Sequence, residues 1–368
     1  MKVGVPREST AGETRVSIVP ETAQRLVKSG HQALVQAGAG TAAGFTDAAY
    51  SHAGAQIVAD AAATRQADIL VRVQRPSPGE IEGLRAGSVL VALLQARTGP
   101  EVVQALAAQG VTAFAMELVP RIARAQKLDV LSSQASMAGY KAVLIAAGAL
   151  GKYFPMLMTA AGTIAPSKVL ILGAGVAGLQ AIATARRLGA VVEAYDVRAA
   201  VKDQVQSLGA KFIELPQVAT AEGAGGYARE QSAEEQARQR ELLKKHVGEA
   251  DVVITTAAVP GRKAPLLVTE DMLDAMRPGS VIVDLAAETG GNVAVTRQGE
   301  VVMRNGVAIH GPVNLPATMP YHASQLYSRN VMGLLELIID KDGKLKLDFN
   351  DEVVAAMCVT HAGEVRMK

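Results

Sequence analysis

The sequence predicts an α/β protein built from two doubly wound parallel sheets. Short apolar runs alternate with amphipathic stretches through the first 120 residues and again from residue 168 onward, the pattern of βαβ units. A helical stretch without strand signals separates the two series. The chain has 368 residues, 49% hydrophobic and 20% charged, which is more than one hydrophobic core serves, so two domains are expected.

In the first series "KVGVP", "HQALVQAG", "AQIVAD", "DILVRVQ", "SVLVALL" and "VTAFAME" read as strands. Helical segments lie between several of them. One is "PETAQRLVKSG", with Pro20 in its first turn and Gly30 as its stop. "SSQASMAGYKAVLIAAGALGKYF" (132–154) is expected to form one connecting helix. The second series, "KVLILGAG", "VVEAYDV", "AKFIELP", "ADVVITTAA", "SVIVDLA" and "GVAIHG", supplies enough strands for a complete dinucleotide-binding sheet. "GPVNLPATMP" (311–320) carries three prolines and reads as a crossing loop. The last stretch lacks a domain-sized core and should return to the first domain. The expected division is residues 1–132 plus 318–368 against residues 133–317.

Composition excludes several classes of function. A net charge of +2, no long basic run, no Trp and only seven Tyr and five Phe argue against nucleic acid as a partner. The lone Cys358 rules out an internal disulfide and points to a reducing, cytoplasmic compartment. "MKVGVPRE" enters a strand directly, so no signal peptide is expected. The most apolar helical stretch, "AVLIAAGAL" (142–150), is far short of the roughly 20 residues that span a bilayer. The histidines at 31, 52, 246, 310, 322 and 361 show no metal-ligand spacing, and no metal is expected.

One motif carries chemistry. Gly173-Ala-Gly175-Val-Ala-Gly178 matches G-x-G-x-x-G, follows the strand "KVLIL" and opens the helix "GLQAIATARRLG". A second strand ends on Asp196, about twenty residues on, which completes a Rossmann-like fingerprint. Gly173 permits the tight turn, Gly175 admits a pyrophosphate to the backbone, and Gly178 lets helix and strand pack closely. The helix N-terminus favours the anion. Asp196 would accept the adenosine ribose hydroxyls and repel a 2′-phosphate, selecting NAD over NADP, with Arg198 two residues further on. The NAD cleft is expected to lie between the two domains. "TAEGAGGYARE" (220–230) reads either as a mobile lid that closes Tyr227 over the nucleotide or as a solvated linker. Taken alone, "ELVPRIARAQKLDVLSSQ" reads as a polar turn solvated by Arg121, Arg124 and Lys127.

Over essentially its whole length the chain resembles the family that joins alanine dehydrogenases to the NAD(H)-binding component of proton-translocating transhydrogenase. "VGVPRESTAGETRVSIVPETAQRLVKSGH", "QAGAGTAAGFTDAAY" and the glycine loop carry the resemblance. "ELVPRIARAQKLDVLSSQASMAGY" and "GAGGYARE" are similar to the transhydrogenase branch.

The resemblance implies that Arg121, Gln126, Asp129 and Ser132 surround the nicotinamide end of the nucleotide. It implies further cofactor contacts from Lys127, Leu128, Val130, Leu131, Val176, Ala177, Val197, Arg198, Gly226, Tyr227 and Ala257. It also implies a homodimer, NADP(H) held on a partner component, and a membrane component with the proton channel. This chain would be cytoplasmic, peripheral on the inner membrane through those partners.

Alanine dehydrogenases resemble the chain too, but carry a lysine and a histidine where it has Gln74 and Gln95. Amides do not titrate near neutrality, and amino-acid oxidation needs an acid–base pair. Arg15 is kept. Only one glycine fingerprint is complete, so the NADP(H) site and proton channel are expected on other polypeptides.

The alternatives are an alanine-type amino-acid dehydrogenase, a non-catalytic NAD sensor and a lysine-forming dehydrogenase relative. His310 reads as a packed strand-end residue or as a neighbour of the nicotinamide. Asn314 is a secondary candidate for contact there.

Overall fold

The computed structural model describes residues 1–214, 232–258 and 262–367, apart from the Ala233 side chain. The glycine-rich stretch expected as a lid or linker (217–231), with Gly226 and Tyr227, lies outside the described residues. The chain divides into two compact units, residues 1–134 with 316–368, and residues 135–315.

Among the described residues, unit 1 forms one sheet. Its strands are β1 (Lys2–Val5), β2 (Gln32–Gln36), β3 (Gln56–Val58), β4 (Ile69–Gln74), β5 (Val89–Leu93) and β6 (Thr112–Ala115). The order runs β3-β2-β1-β4-β5-β6, and all these neighbours are parallel. β1 therefore sits where the strand order reverses, next to β4. Two strands absent from the sequence reading, Cys358–His361 and Glu364–Val365, extend the β6 edge antiparallel. They come from the returning segment, and their short, mixed composition gives little strand signal.

Parallel strands are buried on both faces, so alternate residues feed two cores. Ile69, Val71 and Val73 face a core completed by Tyr327, Val331, Leu334 and Ile338 of the Pro320–Ile338 helix. Leu70 and Leu90 face the other way, against Val102, Val103 and Leu106 of the Pro100–Ala108 helix.

The helix expected over 132–154 runs from Val130 to Ala149. It stops short because Phe154 precedes Pro155, which disfavours helical backbone, and because Gly148 and Gly151 weaken the last turn. An exposed hairpin follows, β7 (Leu157–Thr159) and β8 (Gly162–Ile164).

The sheet of unit 2 then uses β9 (Lys168–Leu172), β10 (Val191–Tyr195), β11 (Lys211–Phe212), β12 (Val252–Thr255) and β13 (Val281–Asp284). It ends with β14 (Val301–Arg304) and β15 (Val307–His310), in the order β11-β10-β9-β12-β13-β15-β14. Only β14 is antiparallel. It is an edge strand with exposed Val301 and Met303, which hid it from the sequence reading.

Val169 and Ile171 pack on one face against Ala142, Val143 and Ala146 of the connecting helix and Ala181 and Ile182 of the Val176–Arg187 helix. Leu170 and Leu172 pack on the other, against Leu243 and Val247 of the Ala233–Glu249 helix. The order reverses between β9 and β12, so the ends of those strands form the crevice of this sheet. Among the described residues no helix is long and apolar enough to cross a membrane.

Candidate functional site

The glycine turn leaves β9 at the reversal point of unit 2. Gly173 has φ +101°, which a side chain would strain, and a Cβ there would lie 2.6 Å from the Thr256 hydroxyl. A Cβ on Gly178 would lie 1.9 Å from the Gly173 carbonyl oxygen, so only glycine lets the Val176–Arg187 helix start this close to the strand. Gly175 is different. Among the described residues, a Cβ there would meet nothing within 4 Å, and the helix it begins has no side-chain cap. The first amides of that helix, including those of Val176 and Ala177, are left to an outside acceptor. Open space in front of uncapped amides fits a pyrophosphate.

The turn is held from two sides. Thr256 Oγ1 donates to the Gly173 carbonyl at 3.0 Å. Beside it, Ala257 donates its N–H to Asn292 Oδ1 (3.1 Å), and Asn292 Nδ2 donates to the Ala257 carbonyl (2.8 Å). Asn292 is fully buried and fixed in turn by Asp284, whose carboxylate accepts the Asn292 and Val293 amides and the hydroxyls of Thr255 and Thr296.

Asp196 closes the site at the end of β10. Its Oδ2 accepts the Ala174 amide at 2.7 Å, tying the acid to the glycine turn. Arg198 also binds it, through its own amide (2.9 Å), Nε (2.8 Å) and Nη2 (2.7 Å). Val197 lies between the two, half-buried against the core.

The polar loop belongs to unit 1. A short 3₁₀ stretch, Ala123–Leu128, leads into the Val130–Ala149 helix. Asp129 sits just before that helix. Its carboxylate accepts the Ser132 amide (2.9 Å) and hydroxyl (2.5 Å), so these two candidate residues also cap the helix start. Gln126, Arg121 and Leu131 are exposed, whereas the Leu128 and Val130 side chains are fully buried in the core and leave only backbone for a ligand.

Asn330 holds the loop at both ends. It donates to the Lys127 carbonyl at 2.8 Å and accepts from Ser133 Oγ at 2.7 Å. Lys127 pairs with Glu336, and Arg124 pairs with Asp351.

Near the reversal point of unit 1, charged and polar side chains pair with one another. Arg15 and Glu13 form a two-armed pair (2.8 and 2.7 Å), with side chains 3% and 0% exposed. Burial alone would raise the Glu13 carboxyl, but Arg15 outweighs it and holds the group down at about 2. Gln74 Nε2 donates to Glu13 at 2.8 Å, and Arg15 donates to Gln134 at 2.8 Å. Glu8 accepts the Val73 amide and faces Arg72, yet burial pushes its carboxyl up. Gln95 is exposed, at φ +53°, and its carbonyl accepts the Thr98 and Gly99 amides.

His310 ends β15. Burial lowers its pKa, and its Nε2 finds no hydrogen-bond partner among the described residues. Asn314 has φ +44° and donates its amide to Glu288.

Sequence reasoning brought together the glycine turn and Asp196. It missed Thr256, Asn292, Asp284 and Asn330, which orient the loops. The strand-ending acid of "VIVDLA" and the "GGN" turn after it were the available signals.

A sheet with this reversal point, glycine turn and strand-end acid defines a dinucleotide-binding α/β protein of the dehydrogenase type. The family description "Alanine dehydrogenase/PNT, N-terminal domain" matches residues 4–138, and "Alanine dehydrogenase/PNT, C-terminal domain" matches residues 142–368. The chain belongs to the alanine dehydrogenase/PNT family.

It is 48% identical to the first part of NAD(P) transhydrogenase subunit alpha of Rhodospirillum rubrum, over 99% of this chain and 97% of the relative. A crystal structure of transhydrogenase from Sinorhizobium meliloti superposes with a TM-score of 0.87 at 44% identity, covering 99% of this chain and 98% of that one. Alanine dehydrogenase of Bacillus subtilis is 33% identical, over 99% of this chain and 92% of the relative.

Proposed function

We propose that this chain is the NAD(H)-binding component of a proton-translocating transhydrogenase. In this reading it exchanges hydride with NADP(H) held on a partner component, and a membrane component couples the exchange to proton passage. It acts as a homodimer in the cytoplasm, peripheral on the inner membrane through those partners.

The observation that carries the reading over amino-acid oxidation is the chemistry at Gln74 and Gln95. Gln74 donates to a carboxylate, and Gln95 is an exposed amide. Neither can move a proton as an amine or imidazole would.

The dinucleotide, when bound, supplies the hydride chemistry; the chain supplies alignment. Amides of Val176 and Ala177 take the pyrophosphate, and Asp196 takes the adenosine ribose. Arg121, Gln126, Asp129 and Ser132 hold the nicotinamide carboxamide. Hydride exchange between two nicotinamides moves no proton at the reacting carbons, so positioning is what the protein must provide.

The test is reduction of an NAD analogue by NADPH, followed by absorbance, with this chain alone and with a candidate NADP(H)-binding partner. Activity only with the partner supports the reading. Activity from this chain alone contradicts the assignment of NADP(H) to a partner, and turnover of alanine contradicts the reaction.

A further inference from the structure

We propose that Arg198 is a displaceable occupant of the ribose seat, which weakens nucleotide binding and must leave Asp196 before a ribose can dock. The proposal rests on the nucleotide reading above. A carboxylate offers about four acceptor positions, two on each oxygen. At Asp196 all of them are taken. Oδ1 accepts the Arg198 amide at 2.9 Å and Nε at 2.8 Å. Oδ2 accepts the Ala174 amide at 2.7 Å and Arg198 Nη2 at 2.7 Å.

The four donors fall into two kinds. The Ala174 and Arg198 amides are backbone groups, fixed by the glycine turn and by the end of β10. They hold the carboxylate in place whether or not a ligand is present. The Nε and Nη2 donors belong to a side chain that can rotate away.

A ribose brings two vicinal hydroxyls, each a donor, and finds no vacant acceptor on Asp196. Removing the guanidinium frees two positions, the number that the diol requires. The exchange conserves the hydrogen-bond count at Asp196.

It does not conserve charge pairing. The side chains are 6% and 18% exposed at Asp196 and Arg198, so the pair is shielded from water more than a surface pair is. The nucleotide must compete with that pair, and the measured affinity falls by the fraction of molecules in which Arg198 is swung away. The ligand class the seat takes is a nucleoside 5′-diphosphate with an intact 2′,3′-diol.

The experiment is calorimetric titration of the full chain with NADH and with ADP. Wild type is compared with Arg198→Met, which keeps the apolar stem and removes the donors, and with Arg198→Lys, which keeps a charge and cannot chelate. The expected result is NADH and ADP binding roughly three- to tenfold tighter in Arg198→Met, with Arg198→Lys between it and wild type. 2′-Deoxy-ADP, lacking one hydroxyl, should gain less from Arg198→Met than ADP does.

Unchanged or weaker binding of NADH by both variants, with wild-type binding intact, overturns the proposal: Arg198 would then be a contact and not a competitor. Failure of wild type to bind either ligand overturns the nucleotide reading itself, and this inference with it. Arg198→Lys guards against misfolding in Arg198→Met, because it retains the cation beside Asp196.

Discussion

The two sheets reverse strand order in the same way, and the two crevices that result could hardly differ more. In unit 2 the strands lead into Gly173 and Thr256, and among the described residues the helix after them has no side-chain cap and nothing lies within 4 Å of a Cβ on Gly175. In unit 1 they end beside Glu13, Arg15 and Gln74, bonded to one another, and Glu8, paired with the buried Arg72. Among the described residues, one crevice is lined by backbone amides and the other by paired side chains. The architecture supplies a place for a ligand; the residues at the strand ends decide whether the place is used.

Removing the ion pair of unit 1 should have the largest effect. Arg15→Met leaves Glu13 buried without its cation and should cost about 3–5 kcal/mol of unit 1 stability. Denaturant unfolding would measure it, and NADH affinity should stay near the wild-type value if the two crevices are independent.

Gly178→Ala is the converse. The added methyl must displace the Gly173 carbonyl, at roughly 2–3 kcal/mol and a Tm lower by about 5–10 °C, and NADH binding should be lost with the turn. A variant that still binds NADH normally would mean that the turn is not the pyrophosphate seat.

Gln126→Ala sharpens the contrast within the proposed site. Hydride exchange with a partner present should slow at least about tenfold while NADH affinity changes less than about twofold. Equal losses would make Gln126 a binding group.

The smallest effect is on acid stability. Glu13, and Glu80, which accepts the Ser77 amide and pairs with Arg72 at 2.7 Å, are both held down at about 2, below the ordinary carboxylate value of 4.5. Their stabilisation is present above pH 4.5 and is lost as pH falls from there through about 2. Amide exchange read by mass spectrometry should therefore rise first in unit 1, around Glu13 and Glu80. Earlier exchange in unit 2 would contradict this.

Much of this contrast is legible in the sequence, but unevenly. Local patterns give the parallel strands, because buried strands are continuous apolar runs, and they give the glycine turn, whose spacing is fixed by backbone geometry. The edge strand β14 escapes because edges alternate weakly, and Cys358–His361 escapes because it is only four residues long. Asn330 escapes for a different reason. It lies 203 residues from Lys127, the carbonyl it holds, and no local pattern marks a contact of that separation. Arg198 is visible as a neighbour of Asp196, yet its saturation of the carboxylate is a matter of geometry alone.

The inserted position of unit 2 has a consequence for synthesis. Residues 135–315 form a contiguous unit that can close as soon as it leaves the ribosome. The first 134 residues cannot finish their core, because Tyr327, Val331, Leu334, Met357 and Cys358 have yet to be made. At about 5–20 residues per second the nascent sheet of unit 1 waits tens of seconds with its apolar face uncovered. Residues 1–134, made before unit 2, are thus completed after it, and chaperones have their longest window on them.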